Sequence, residues 1–189
     1  MQLITVTPPT KEPVSYLEAK NYLKEDLDIE QDEIEAQVRA ARELCEDISN
    51  KTYFTTVYKY IDDGYNFPIK LPKPPIQSVE KIEFQQKDGT LIEWDASNYV
   101  ADTTAKFGLI RLAENYSIPD NLTKQNTIQI TFTAGHENVS DIPERYKTAV
   151  KYLANHWMEN RLPVSMNTMT YQVEFTVKSL LGLDRVVPV

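Results

Sequence analysis

The hydrophobic period of this sequence changes twice along the chain, and this constrains the fold more than any other feature. Between about residues 31 and 49, apolar residues recur at spacings of four and three, which is typical of an amphipathic helix: Ile34, Val38, Ala41, Cys45 and Ile48. From Thr52 to Thr133, β-branched and aromatic residues dominate, which favours strands. Helical spacing returns after Pro143. The pattern predicts an α+β fold, with a helical-bundle core formed by N- and C-terminal helices and an inserted antiparallel β subdomain.

Local signals place the helices. Ser15 and Glu18 have the spacing of a capping box, in which each side chain accepts a backbone N–H of the other residue, so a short helix is expected to begin there. The apolar stripe predicts a second helix over residues 31–49. Pro143 suits the first turn of a third helix, since a proline there loses no hydrogen bond, and that helix should stop near Asn160.

Six segments predict strands, because β-branched or aromatic residues are bounded by turn residues: 52–61, 79–85, 91–94, 98–101, 107–112 and 127–133. A hairpin turn is expected at residues 87–90, where Gly89 tolerates a positive φ. The last strand alternates cleanly, so one of its faces should be buried. Residues 1–14 contain three prolines, which bias the backbone towards extended conformations.

These elements divide the chain into four expected parts. Residues 1–51 form the N-terminal helical part of the core, and residues 52–135 form the inserted β subdomain. Residues 136–163 supply the C-terminal helix of the core. Residues 164–189 are expected to form an extended C-terminal arm, because the segment 171–177 alternates like a strand.

The charge of the chain indicates how it can interact with nucleic acid. The formal net charge is −8, and residues 1–51 carry 12 acidic against 6 basic side chains. Tight binding to nucleic acid requires clustered Lys and Arg, and the sequence contains no such cluster. The composition argues against a protein that reads DNA. It does not argue against a conduit, since like charge keeps DNA from adhering to a wall that it slides past.

No segment of the sequence predicts a membrane or secreted protein. No apolar run approaches the roughly 18 residues of a membrane-spanning helix, and the first five residues lack the basic and apolar regions of a signal peptide. Cys45 is the only cysteine, which excludes an intrachain disulfide and suits a reducing compartment. Because Cys45 lies on the apolar stripe, we expect a buried, inert thiol.

The sequence contains no convincing catalytic, cofactor-binding or metal-binding constellation. His136 is far from His156 in the chain, and His156 with Glu159 supplies at most two of the three or four ligands that a metal site needs. The segment 62–66 places two aspartates beside a glycine, but it lacks the closing glutamate of a calcium loop. No phosphate loop and no nucleophile elbow are present. We therefore expect no enzyme activity, no cofactor and no metal.

Three tyrosines fall on the first predicted strand: Tyr53, Tyr58 and Tyr60. Tyrosine is common both in strand cores and in interfaces, so the sequence leaves packing and partner binding open. One alternative is therefore a monomeric accessory or ligand-binding protein that uses this Tyr-rich β face. A second alternative is a hydrolase assembled from scattered acids, which would need two close carboxylates with shifted pKa values.

Several short phrases, in a fixed order, extend over nearly the whole chain. They are Thr-Pro-Pro-Thr at 7–10 with Glu-Pro-Val-Ser at 12–15, Ile-Glu-Ala-Gln-Val-Arg at 34–39, Leu-Pro-Lys-Pro-Pro-Ile-Gln-Ser-Val at 71–79, Phe-Thr-Ala-Gly at 132–135, Ile-Pro-Glu at 142–144 and His-Trp-Met-Glu-Asn-Arg at 156–161. Together they resemble the head–tail connector (adaptor) proteins of tailed bacteriophages.

The resemblance implies a structural role in a virion. Such proteins assemble as a ring, usually a dodecamer, beneath the portal after DNA packaging. They extend the DNA channel and dock the stopper or tail-completion protein, and packaged DNA passes through without sequence-specific binding. The family has a helical-bundle core, and its longer members carry a β insertion. The implied location is the head–tail interface of the virion, with the host cytoplasm during assembly.

The C-terminal segment of such proteins reaches the portal, and it corresponds here to about residues 171–189. The resemblance thus implies portal contact by apolar residues of this segment: Tyr171, Val173, Phe175, Leu180, Leu181, Leu183, Val186 and Val187. No catalytic residue carries over, because the family has none.

Overall fold

The computed structural model describes residues 1–23, 30–105, 107–159, 170–182 and 185–186. Within these ranges the chain is an α+β protein with four α-helices and eight strands, in the order β1 (Gln2–Thr7), α1 (Tyr16–Tyr22), α2 (Gln31–Ser49), β2 (Thr56–Asp62), β3 (Ile69–Leu71), β4 (Ile76–Gln85), β5 (Leu91–Glu93), β6 (Tyr99–Asp102), β7 (Gly108–Leu112), β8 (Ile128–Ala134), α3 (Glu144–Glu159) and α4 (Thr170–Gly182). The strand pairs that the structure describes are antiparallel.

The chain divides into two compact units. The β unit comprises Met1–Pro9 and Thr55–His136, and the helical unit comprises Thr10–Phe54 and Glu137–Val189. Three boundaries differ from the expected parts, because the first nine residues and His136 belong with the strands and residues 52–54 belong with the helices.

The N-terminal difference arises from a strand pairing between distant parts of the chain. β1 lies antiparallel to β2, with Leu3 opposite Tyr60. Its sequence, Gln-Leu-Ile-Thr-Val-Thr, is rich in β-branched residues, which fit a pleated sheet. The extended backbone was expected, but a pairing partner more than fifty residues away is not encoded in local spacing.

β8 occupies the centre of a five-stranded sheet with the strand order β1-β2-β8-β4-β5. All seven residues of β8 are buried, so the predicted buried face is confirmed and the other face is buried as well. One face contributes to the apolar core of the β unit. β2 and β4 flank β8 on its two sides. Their longer side chains contact its polar residues, as where the Thr133 hydroxyl donates to Glu80.

The other three strands form a sheet with the order β3-β7-β6. Side chains from both sheets build the core of the β unit: Tyr58, Tyr60, Ile69, Leu71, Ile76, Ile82, Phe84, Trp94, Ile110, Ile128, Ile130, Phe132 and Ala134. The Trp94 ring meets Phe84 edge-on, with 5.3 Å between centroids. Its indole N–H donates to the Ser117 carbonyl at 2.6 Å, which satisfies the polar atom of a buried aromatic ring.

In the helical unit, α2 runs from Gln31 to Ser49, as the apolar stripe predicted. It ends at Asn50, which has φ 52° and ψ 38°, a left-handed conformation that asparagine tolerates. The Asn50 amide donates to the Val186 carbonyl at 2.8 Å, and the Val186 N–H donates to the Ser49 carbonyl at 3.0 Å. These bonds hold residues 185–186 against the end of α2.

The predicted starts of the two other helices are confirmed. The Ser15 hydroxyl accepts from the Glu18 N–H at 3.3 Å, and the Ser15 N–H donates to the Glu18 carboxylate at 2.8 Å. This capping box opens α1. α3 begins at Glu144, directly after Pro143. Residues of all four helices and of the segments beside them share one apolar core: Val14, Ala19, Leu23, Ile34, Val38, Ala41, Cys45, Tyr53, Phe54, Ile142, Tyr146, Ala149, Val150, Leu153, Ala154, Met158, Val177 and Leu181.

The expected extended arm is wrong for residues 170–182, which form α4. Val177 and Leu181, four residues apart, are buried in the core of the helical unit, and Leu180 packs against it. The segment fits both a strand-like alternation and a helical spacing, and packing of its apolar side against α2 and α3 favours the helix. Residues 160–169 of the expected arm lie outside the described residues.

Candidate functional site

The described residues contain no group of three or more His, Cys, Asp or Glu side chains that could hold a metal ion. The two aspartates of segment 62–66 instead accept hydrogen bonds from the protein. Asp62 accepts from the Tyr60 hydroxyl at 2.8 Å and lies 3.2 Å from the terminal ammonium of Met1. Asp63 accepts from the Asn126 N–H at 2.7 Å. Both carboxylates therefore stabilise the loops of the β unit.

The two histidines lie in different units. The His136 carbonyl accepts from the N–H of Thr55 at 3.1 Å, at the point where the chain enters the β unit. His156 is half-buried on α3, and Glu159 is exposed at the end of that helix. Over the described ranges, no helix is both long and apolar enough to cross a membrane.

Cys45 is fully buried on α2. Burial, together with the adjacent Glu46 carboxylate, raises the pKa of the Cys45 thiol to about 12. Because the thiolate is the reactive form of cysteine, this thiol is protonated and unreactive at neutral pH.

A buried ion-pair network in the helical unit brings two carboxylates close to one guanidinium. Arg42 donates through Nη1 to Glu46 at 2.6 Å and through Nε to Glu12 at 2.8 Å. The second Glu46 oxygen accepts from the Tyr53 N–H at 2.7 Å. Burial raises the pKa of Glu12 despite the nearby Arg42. Because both carboxylates are bonded to Arg42, the network joins three segments of the unit and offers no free acid–base pair.

The tyrosines predicted as a possible binding face are packed in cores, so that interpretation is wrong. Tyr53 belongs to the helical unit, where its ring stacks on Tyr146 with 4.9 Å between centroids. Tyr58 and Tyr60 lie in the core of the β unit. The spacing of residues in the predicted strand 52–61 gives no sign that Tyr53 precedes β2 and lies in the helical unit.

The structure describes the side chains of four residues that the resemblance assigned to portal contact. Phe175 is 74% exposed on α4. Leu180 is half-buried beside the core of the helical unit, and Leu181 is buried in it. Val186 is also buried. Of these four described residues, only Phe175 has an exposed side chain.

The remaining residues of that set stay predictions. Tyr171 and Val173 lie within α4. Leu183 and Val187 lie outside the described residues.

Exposed apolar side chains occur together on β1 and at the residue before it, a surface that the sequence did not predict. Met1, Ile4 and Val6 are 74%, 40% and 53% exposed. β1 ends the five-stranded sheet, and among the described strands it pairs only with β2. Residues 1–10 carry no charged side chain. The run of β-branched residues was the available signal for this strand.

Comparisons with known proteins show which solved structures share this fold. No protein-family model and no curated protein sequence matches the chain. Solved structures do match, and each alignment covers 100% of this chain and 97% of the other chain. A chain in the virion of a native gene transfer agent particle has a TM-score of 0.80 at 21% identity.

Two other matches come from structures of the particle neck. A chain in the neck of the empty particle, computed with C6 symmetry, gives a TM-score of 0.80 at 21% identity. A chain in the neck of the native particle, computed with C12 symmetry, gives 0.77 at 20% identity. These values show that this chain and those neck chains share a fold along their whole length.

Proposed function

We propose that this chain is a structural subunit of the neck of a tailed-phage-like particle, and more narrowly a head–tail connector (adaptor). The observation that carries the proposal is the full-length likeness to chains of gene transfer agent particles. A fold alone does not determine function. The adaptor role is supported in addition by the ordered short phrases, which resemble adaptor sequences along nearly the same length.

The proposed assembly is a ring beneath the portal, with twelve copies in the virion. Two of the similar chains belong to neck structures computed with C6 and C12 symmetry, which supports an arrangement of identical subunits around one axis. Such a ring forms when heterologous contacts between neighbours close on themselves. The ring would extend the DNA channel and dock the stopper or tail-completion protein.

The net charge of the chain is compatible with a wall of a DNA channel. The net charge of −8 suits a wall past which packaged DNA moves without sequence-specific binding. We place the assembled protein at the head–tail interface of the virion, and the free subunit in the host cytoplasm before assembly.

We further propose that the helical unit is a helical-bundle core and that the β unit is an insertion within it. The C-terminal segment would contact the portal. Phe175 supports this assignment because it is an exposed aromatic side chain on α4. Leu181 could take part only if it left the core of the helical unit, and Val186 only if it became exposed.

The test is the mass of the protein in solution, measured by light scattering with and without the cognate portal ring. We expect a ring-sized species, either for the protein alone or on addition of the portal. A monomer that ignores the portal at high concentration would contradict the proposal.

A further inference from the structure

The outer edge of β1 has one feature that protects edge strands, a register irregularity between Thr5 and Thr7, but it lacks the others. Such edges usually carry lysine, proline or inward charges, because their unpaired N–H and C=O groups can pair with another chain. β1 has six residues, none of them charged and none of them proline. Two of its apolar side chains, Ile4 and Val6, are exposed. An edge of this kind is suited to pairing with a further strand.

The opposite end of the same sheet is a second exposed edge. β5 ends the strand order at that side, and among the described strands it pairs only with β4. Leu91 is 40% exposed, and Glu93 is exposed as well. Because the five strands alternate in direction, β1 and β5 run the same way.

The registers place the exposed apolar residues of both edges on one face. Ile4 on β1 lies opposite Lys59 on β2, and Lys59 lies opposite Thr131 on β8. Thr131 in turn lies opposite Lys81 on β4. Two residues beyond Lys81, Glu83 lies opposite Glu93. Since alternate residues of a strand share a face, Leu91 lies on the same face as Ile4. Joining the two edges would therefore place both side chains on one face of the joined sheet. Leu91 lies opposite Gln85, four residues beyond Lys81, so an offset of four residues between neighbouring sheets brings the two side by side.

We propose that β1 pairs with β5 of a second copy of this chain, so that the five-stranded sheets of neighbouring subunits join edge to edge. The inference rests on the proposed ring, because closed rings need two different, complementary surfaces on each subunit. The two edges of one sheet supply these surfaces. Main-chain hydrogen bonds provide the pairing, and contact between Ile4 and Leu91 adds apolar burial. The two strands of the contact would run parallel.

Paired cysteines test this contact in the assembled protein. The native thiol, Cys45, is buried and should not interfere. The double variant Ile4→Cys/Leu91→Cys, assembled with the cognate portal and mildly oxidised, should give a ladder of covalent multimers that dithiothreitol collapses to monomer. A disulfide requires Cβ atoms within about 4.5 Å of each other. We therefore include Ile4→Cys/Glu93→Cys, which tests a register shifted by two residues.

The matched control is Ile4→Cys/Val100→Cys, since Val100 is an exposed residue on β6 of the other sheet. It should give no ladder. If rings form and neither test pair gives a ladder, the edge contact is overturned while the proposed ring function stands. If no ring forms with or without the portal, both are overturned.

A charged edge provides an independent measurement. Ile4→Lys should abolish ring assembly while circular dichroism remains that of the folded protein, and Val100→Lys should leave assembly unchanged. Rings of Ile4→Lys at the wild-type level would overturn the contact. Rings that form but no longer bind the portal would also overturn it, because they would show that the portal, and not a second copy, occupies the edge.

Discussion

Gly108 shows how closely packing in the β unit depends on single residues. A Cβ added at Gly108 would lie 2.5 Å from Cγ1 and 3.1 Å from Cβ of Ile76, and Ile76 is itself buried. Gly108→Ala should therefore lower the free energy of unfolding by about 1–3 kcal/mol, the usual cost of overpacking. Urea unfolding measures the change. Gly64→Ala is the control, because nothing lies within 4 Å of the added atom. Equal losses in the two variants would contradict this account.

The Arg42 network offers a second test at the residue scale. Glu46→Ala should lower the free energy of unfolding by about 3 kcal/mol, since it leaves a buried guanidinium short of one partner and a buried N–H of Tyr53 without its acceptor. Glu43→Ala is the matched control. Glu43 also pairs with Arg42, at 3.4 Å, but its side chain is 68% exposed, and exposed pairs contribute about 0–1 kcal/mol. Chemical denaturation that gave equal effects would show that burial is not the deciding factor.

At the scale of the element, the capping box of α1 predicts a dependence on pH. The Ser15 N–H and hydroxyl donate to the Glu18 carboxylate and lower its pKa below the ordinary value of 4.5. A carboxyl whose pKa is lowered on folding stabilises the protein above its unfolded pKa, and this stabilisation is lost as the pH falls through the folded pKa.

We therefore expect wild type to exceed Glu18→Gln in free energy of unfolding at neutral pH, and the difference to shrink as the pH falls below 4.5. Denaturant unfolding of both proteins across this range measures the difference. A difference that stays constant with pH would mean that the charge of the Glu18 side chain contributes nothing to the cap.

α4 carries an exposed aromatic residue, Phe175, on one side and the core residues Val177 and Leu181 on another. Phe175→Ala should change the free energy of unfolding by less than about 0.5 kcal/mol, as surface substitutions do, but should weaken association with the cognate portal. Leu17→Ala is the control, because Leu17 is 65% exposed on α1. Portal binding by Phe175→Ala at the wild-type level, measured by sedimentation, would remove Phe175 from the proposed contact.

Elements whose signals are local were predicted well. α2 has its predicted bounds because both its apolar stripe and its terminal residues lie within one segment. The start of α1 depends on two residues three apart. β1 and α4 were different, since partners far away in sequence decide their conformation. The candidate sites show the same difference. The apolar stripe of α2 predicts that Cys45 is buried, whereas the Tyr-rich face was wrong because its three tyrosines are buried in the cores of two units.

At the scale of the whole molecule, the residues that the structure describes form one apolar core in each unit. Local stability follows the contacts within each cooperative unit. Gly108→Ala should therefore lower hydrogen-exchange protection of β8 and leave that of α3 unchanged, whereas Glu46→Ala should do the reverse. Exchange measured by mass spectrometry at native pH distinguishes the two. Equal loss of protection in both units for both variants would show that the chain opens as a single unit.

The sequence by itself determined the fold class, the helix α2, the capping box and the inert state of the only thiol, because each follows from spacing or composition over a short range. It also supplied the resemblance to connector proteins. Tertiary structure alone decided that β1 joins a sheet edge, that α4 is a helix, and that Leu181 and Val186 are buried. The physical reason is that pairing and burial depend on partners brought together only when the chain folds.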